Sequence, residues 1–187
     1  MNTNLMFSSR DSKWQTDPEL LEKLAPAFTW DIDVCAERNN VCDNFITPQM
    51  DAFKNDWIGL CWQNPPYTRS ISSWLGRAAE QSDLHNSTIV CLVPARTDTA
   101  WWQDNIIDAS WVTFIRGRLK FGSDEYWVNY WQDEHEKGKL TKAELQSKLS
   151  DPVTKNSAPF PSALIVYGRM SSKQKDVLRE LGWSKEQ

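Results

Sequence analysis

The sequence predicts an α/β protein in which a mostly parallel sheet is flanked by helices. Three observations carry that prediction. Short apolar runs of strand character alternate with segments of helical periodicity along the chain. The least ordinary residues, Asp33, Asn64 to Tyr67 and Pro94 to Arg96, all follow the carboxyl ends of such runs, where ligands bind on sheets of this kind. One charged stretch, Glu125 to Asp151, breaks the alternation and reads as a helical insertion projecting from the sheet.

The elements follow in order. Residues 1–13 are polar and are expected to be disordered, so the folded domain is expected to run from 14 to 187. Asp17-Pro18 ahead of Leu20, Leu21 and Leu24 reads as a capped helix with proline in its first turn. Phe28 to Val34 alternates like a strand, and Val41 to Thr47 reads as a second, short one. Ile58 to Gln63 is an apolar run that stops at Asn64-Pro65-Pro66-Tyr67, where two prolines end regular structure. From Ser70, apolar residues Ile71, Trp74, Leu75, Ala78 and Ala79 recur at helical spacing. Ser87 to Val93 is the clearest buried strand. Thr97 to Ile107 suits a helix capped by Thr97 or Asp98. Trp111 to Ile115 and Ser162 to Tyr167 are further strands. A helix from Ser171 to Leu181 ends at Gly182.

Composition narrows the function. With 187 residues, 40% hydrophobic and 25% charged, the chain suits one soluble domain. No apolar run approaches the ~20 residues of a membrane span. The N-terminus lacks a signal-like apolar core, so a cytoplasmic location is the expectation. Four cysteines with no C-x-x-C spacing and only two histidines argue against zinc. The cysteines read as small buried hydrophobes. A net charge of −4 excludes a uniformly basic surface but permits a locally basic cleft.

Asn64-Pro65-Pro66-Tyr67 after a strand is the sharpest chemical signal. An aromatic amine is a poor nucleophile because its lone pair is delocalised into the ring. A carboxamide oxygen on Asn64 and the Pro65 carbonyl can accept its two N–H bonds and free that lone pair for attack. The prolines, Pro65 and Pro66, hold both acceptors rigidly. Tyr67 offers a face on which an extruded base can stack. The competing reading of this tetrapeptide is a plain proline-rich turn.

The motif resembles that of amino-group methyltransferases acting on DNA adenine, DNA cytosine or release-factor glutamine. Its leading Asn fits adenine or glutamine. Read whole, the chain resembles the phage-type DNA N-6-adenine methyltransferase family. The matching pieces are Trp14-x-Thr16, Trp30 to Ala36, Asn64 to Tyr67, Leu92 to Thr99 with Trp101-Trp102, Gly117 to Phe121 and Ala158 to Ser162, in the family's order. That resemblance implies a reduced, Rossmann-like class I fold, because Asp33 and Asn64 are too close in sequence for the usual intervening helices. It implies S-adenosylmethionine as methyl donor and DNA, with a flipped adenine, as substrate, without a metal.

It also implies site residues. Asp33, Cys35 and Ala36 take the place of the usual Gly-rich first loop, with Asp33 meeting the cofactor's cationic amine. Asp51 is expected to hold the cofactor's adenine amine, Phe53 to cover its ring, and Trp14 and Thr16 to close over it, with Asn64 beside it. Asp33 as a turn cap and Asp51 as a helix cap are the structural alternatives. Arg69, Arg96, Arg116, Arg118 and Lys120 are candidates to grip DNA phosphates, with Arg116, Arg118 and Lys120 on one face if extended. The alternatives there are a solvated surface strand and, for Arg96, a buried ion pair with Asp98 or Asp104. Methylation of RNA adenine or protein glutamine, or a non-catalytic module binding nucleic acid or a host protein, are the competing functions.

Overall fold

A computed structural model describes residues 16–36, 41–121, 124–150 and 158–187. The expectation of a disordered 1–13 segment and the role of Trp14 lie outside the described residues. In chain order the elements are α1 (Pro18–Leu24), β1 (Ile32–Asp33), a 3-10 turn (Ala52–Lys54), β2 (Leu60–Gln63), α2 (Ile71–His85), β3 (Thr88–Pro94), α3 (Ala100–Ile106), β4 (Trp111–Ile115), α4 (Asp124–Glu136), α5 (Lys142–Ser150), β5 (Ser162–Tyr167), α6 (Ser172–Leu181) and β6 (Gly182–Glu186).

Six strands form one mixed sheet in the order β1-β2-β3-β5-β4-β6. The β1–β2 and β2–β3 pairs are parallel; β3–β5, β5–β4 and β4–β6 are antiparallel. The expected mostly parallel sheet is therefore confined to one half, although β1 to β4 all run the same way. Topology supplies the reason. The chain leaves β4 at its carboxyl end, makes the α4–α5 excursion, and re-enters at the same end, with Ser162 opposite Pro94 and Ala163 opposite Phe114. A strand entered from that end must run backwards.

The central strands are apolar on both faces, and their alternation splits the core in two. Ile89, Cys91 and Val93 of β3 join Ala163, Ile165 and Tyr167 of β5 under α2 and α3, which contribute Ile71, Leu75, Ala78 and Trp102. Val90 and Leu92 join Leu164 and Val166 on the other face, under Leu20 and Leu24 of α1 and Leu178 and Leu181 of α6. Leu20 and Leu24 of α1 and Ile71 and Leu75 of α2, each pair at i and i+4, supply the helical stripes, each fully buried side chain worth roughly 1.5–3 kcal/mol.

The helix ends follow local chemistry. Asp17 caps α1 through the Glu19 N–H at 3.0 Å, with Pro18 at the first position. Ser171 and Gln174 form a reciprocal capping box at α6. Neither Thr97 nor Asp98 caps α3; Thr99 occupies the cap position without a side-chain cap bond, because its hydroxyl donates to the Arg96 carbonyl at 2.7 Å. The Gly182 backbone is extended. A side chain there would meet the Phe114 carbonyl at 2.0 Å, so glycine lets β6 close on β4 directly after α6.

Three strand expectations change. Phe28 to Val34 shrinks to Ile32–Asp33, because Phe28 and Trp30 stack at 5.2 Å and the ladder is closed by the Asp31 carboxylate, which accepts the Leu60 N–H at 2.7 Å. Val41 to Thr47 is not a strand; Phe45 makes a single bridge to Asp33. The edge strand β6 was not anticipated, its GWSKE sequence carrying too little apolar alternation. The insertion is helical as expected. Its two helices are tied by Lys148 over the Trp131 ring at 4.8 Å, and its turn by His135 Nδ1 on the Leu140 carbonyl at 2.7 Å.

Candidate active site

β2 delivers Asn64 to Tyr67 to the carboxyl end of the sheet. Pro65 and Pro66 have no N–H to continue the ladder, and a tight bond from Thr68 N–H to the Pro66 carbonyl, 2.8 Å, turns the chain toward α2. Pro65 is buried, and Asn64, Pro66 and Tyr67 are half-buried.

The polar atoms of this corner are connected. The Tyr67 hydroxyl donates to Asn64 Oδ1 at 2.9 Å and also lies 3.3 Å from the Leu92 carbonyl of β3. Asn64 Nδ2 donates to Thr16 Oγ1 at 3.2 Å, and the same oxygen receives the Trp62 indole N–H at 3.2 Å. Burial pushes the Tyr67 phenol well above its ordinary value, helped by the nearby Cys35, so it stays neutral and remains a donor.

Tyr67 does not stand alone. Its ring meets Phe121 edge-on at 6.1 Å and Phe160 edge-on at 5.7 Å, and those two rings are 5.9 Å apart. Neither phenylalanine was singled out as a site residue from sequence, although both stand in quoted motifs. The missing signal was topological. Phe121 closes the segment leaving β4 and Phe160 opens the segment entering β5, so both return to the edge that carries Tyr67.

Asp33 ends β1 beside β2, in register with Trp62. Its side chain is buried, at 4% exposure. One carboxylate oxygen accepts the Cys35 N–H and the other the Val41 N–H, both at 3.0 Å. Asp33 thus performs the turn-capping role. Burial pushes its carboxyl up, against the downward pull of those two N–H groups. Cys35 is half-buried and packs against the core under α2, and Ala36 is buried. Cys61, deeper in the sheet, is pushed up to about 12 by burial, and all four cysteines are free thiols.

Asp51 likewise acts as a cap. It sits at φ 58°, ψ 94°, a rare backbone conformation for a residue other than glycine. Its carboxylate accepts the Phe53 N–H at 3.2 Å and pairs with Lys54 at 3.1 Å, and Lys54 holds it below the usual carboxylate range. Phe53 is 40% exposed and meets Trp74 of α2 edge-on at 4.7 Å. The Trp74 carbonyl accepts Gln63 Nε2 at 3.1 Å, which links this aromatic step to the residue preceding Asn64.

The five candidate phosphate-gripping cations are all exposed. Arg69 follows β2, Arg96 follows β3, and Arg116, Arg118 and Lys120 follow β4, so parallel strand direction gathers them at one end of the sheet. The buried ion pair considered for Arg96 does not form, since Arg96 is solvent-facing. Arg116 to Lys120 is not a strand either: β4 ends at Ile115, and Gly117 turns the chain at φ 84°. Alternation nonetheless persists beyond the turn. Leu119 and Phe121 point inward, Arg118 and Lys120 outward, and the Lys120 N–H is held by Asp17 at 2.8 Å.

Comparison with known proteins adds an independent line. Residues 2–155 match the family model described as DNA N-6-adenine-methyltransferase (Dam). The chain is 38% identical over 99 residues to a DNA N-6-adenine-methyltransferase of Haemophilus phage HP1, covering 51% of this chain and 57% of that protein. It is 33% identical over 122 residues to a DNA N-6-adenine-methyltransferase of Escherichia phage T1, covering 63% of this chain and 50% of that protein. The chain thus spans about half the length of the curated relatives it matches. No solved structure matches it.

Proposed function

Because this chain belongs to the DNA N-6-adenine-methyltransferase (Dam) family, we propose that it transfers a methyl group from S-adenosylmethionine to the exocyclic amine of adenine in DNA, in a phage or prophage setting. The single observation that carries the reading is the corner itself. Asn64 Oδ1 sits at the end of β2, beside three clustered aromatic rings and at the same end of the sheet as five exposed cations.

S-adenosylmethionine, when bound, supplies an electrophilic methyl group. The residues present fit it. Asp33 places a carboxylate at the strand end for a cationic amine, and Phe53 presents an exposed ring for a purine. The Asp51 carboxylate, capping the turn beneath that ring, is solvent-accessible enough to accept a further N–H. Cys35 and Ala36 follow Asp33 in the first loop, and the role of Trp14 in closing over the cofactor rests on the family resemblance alone. The mixed sheet, with β5 reversed between two like-directed strands, is compatible with a reduced class I methyltransferase fold.

The chain's own groups account for the activation of the amine. Asn64 Oδ1 and the Pro65 carbonyl accept the two N–H bonds, which localises the nitrogen lone pair. Tyr67 donates to that same Oδ1. The Leu92 carbonyl, already within 3.3 Å, gives the phenol an alternative acceptor when the amine arrives. No buried donor is then stranded. The Tyr67 ring stacks on the extruded base, and Phe121 and Phe160 buttress it. Arg69, Arg96, Arg116, Arg118 and Lys120 hold the backbone on either side.

Incorporation of labelled methyl into DNA, with modified adenines located by sequencing, tests the assignment. Asn64→Ala is expected to lose turnover by about 100-fold or more, the scale of one preorganised acceptor, while cofactor affinity is retained. Near-normal activity in that variant, or incorporation into RNA or protein alone, refutes the reading.

A further inference from the structure

A carboxamide can present either of its two ends, and the chemistry above works with only one. If Asn64 were turned over, its NH2 would meet the N–H bonds of the target amine and repel them. The side-chain torsion concerned is soft and nearly two-fold, so something outside Asn64 must hold it.

Thr16 is placed to do so. Its oxygen receives Asn64 Nδ2 and Trp62 Nε1, each at 3.2 Å. Thr16 is 7% exposed and Trp62 fully buried, so the Trp62–Thr16 bond is shielded from bulk water, while the bond to half-buried Asn64 is partly shielded. An indole N–H only donates, so one lone pair of Oγ1 is committed to Trp62, and in the structure the other accepts from the amide nitrogen. With Nδ2 engaged there, Oδ1 faces the opposite way, where the Tyr67 hydroxyl finds it at 2.9 Å. Thr16 is itself stiff. It is β-branched, and the next residue, Asp17, is anchored both to α1 and to the Lys120 N–H.

We propose that Thr16 is a positioning residue that holds the Asn64 carboxamide with its oxygen toward the target amine, with Trp62 fixing Thr16 in turn. This assigns the Thr16 hydroxyl to the amide rather than to the cofactor, and it rests on the amine-methylation reading. Serine retains the oxygen and valine keeps the shape without it, so the pair separates hydrogen bonding from packing.

The experiment compares full-length wild-type protein with Thr16→Val and Thr16→Ser. It measures kcat and KM on DNA at saturating S-adenosylmethionine, calorimetric affinity for S-adenosylmethionine, and NMR exchange of the Asn64 side-chain amide protons with water. Thr16→Val is expected to lower kcat by about ten-fold or more, the cost of misplacing one catalytic group. Its cofactor affinity is expected to be unchanged and its Asn64 amide protons to exchange faster. Thr16→Ser is expected to restore all three. If the valine variant does not fold, Thr16→Ala takes its place under the same expectations. Weakened cofactor binding with unchanged kcat overturns the proposal in favour of a cofactor contact. Equal loss in the serine and valine variants, or unaltered amide exchange, also overturns it. Wild-type protein that methylates no DNA sinks the parent reading instead, and the exchange measurement still decides whether Thr16 holds the amide.

Discussion

Replacing Tyr67 with phenylalanine separates the ring from its hydroxyl. The substitution deletes the donor that reaches Asn64 Oδ1 at 2.9 Å and the Leu92 carbonyl at 3.3 Å, and leaves the edge-on contacts with Phe121 and Phe160 intact. Losing one part-buried hydroxyl bond costs about 1 kcal/mol, and the acceptor left with one partner fewer adds up to about 1 kcal/mol more. In a domain of this size each kcal/mol lowers the melting temperature by about 2–4 °C, so Tyr67→Phe is expected to melt roughly 2–8 °C lower. Catalysis should respond differently. The stacking face survives and the competitor for Asn64 Oδ1 is gone, so kcat/KM should stay near wild type or rise slightly. Tyr67→Ala removes the face itself. At about 1–3 kcal/mol per base–aromatic stack, it should lower kcat/KM by about 5- to 150-fold. Steady-state methyl transfer on a short duplex, alongside a thermal melt, reads both quantities. If Tyr67→Phe proves as inactive as Tyr67→Ala, the hydroxyl rather than the ring carries the function and the stacking argument is wrong.

Other expectations follow from neighbouring geometry. Burial raises the Asp33 carboxyl, so the folded protein takes up this proton at higher pH than the unfolded chain does; the group's contribution to stability is full below the unfolded value and is lost as pH rises through the folded one. A cationic ligand favours the ionised carboxylate, so S-adenosylmethionine affinity should fall as pH drops through that raised range. Asp33→Asn should bind more weakly at neutral pH and show a flat profile; calorimetry finding the wild-type slope in the variant removes Asp33 from the cofactor. Asp17→Ala loses the α1 cap and strands the Lys120 N–H, a combined loss of about 2–4 kcal/mol, read as a lower denaturation midpoint. A change under 0.5 kcal/mol, about the level of an ordinary surface substitution, contradicts the dual role. Arg96→Ala and Arg118→Ala should each reduce the slope of log affinity against log salt by about one on DNA of any sequence. A sequence-dependent loss without a slope change would make either residue a base reader.

Much of the site was legible because its chemistry is local. Asn64 to Tyr67 announce a rigid strand-end corner through two adjacent prolines, and Asp17-Pro18 announces a helix start through one short carboxylate. Both statements concern backbone groups within a few residues. Asp33 and Asp51 show the limit of the same logic. Each carries a carboxylate at a turn, and both functional and capping readings predicted it; the structure has both capping, which a sequence pattern cannot separate from ligand binding. Arg116 to Lys120 kept its alternation but lost its strand, because inward Leu119 and Phe121 are enforced by burial whether or not a ladder forms.

From the sequence by itself came the alternation of helices and strands, the corner at Asn64 and the family resemblance, since these depend on residue order and short-range backbone preferences. Tertiary structure alone decided the reversed β5, the β6 edge, the Tyr67–Phe121–Phe160 cluster and the bond from Asn64 to Thr16. The physical reason is separation along the chain. Partners 39 to 93 positions apart meet only when burial of a shared core overcomes the entropy of closing the loops between them, and no local preference records which partners those will be.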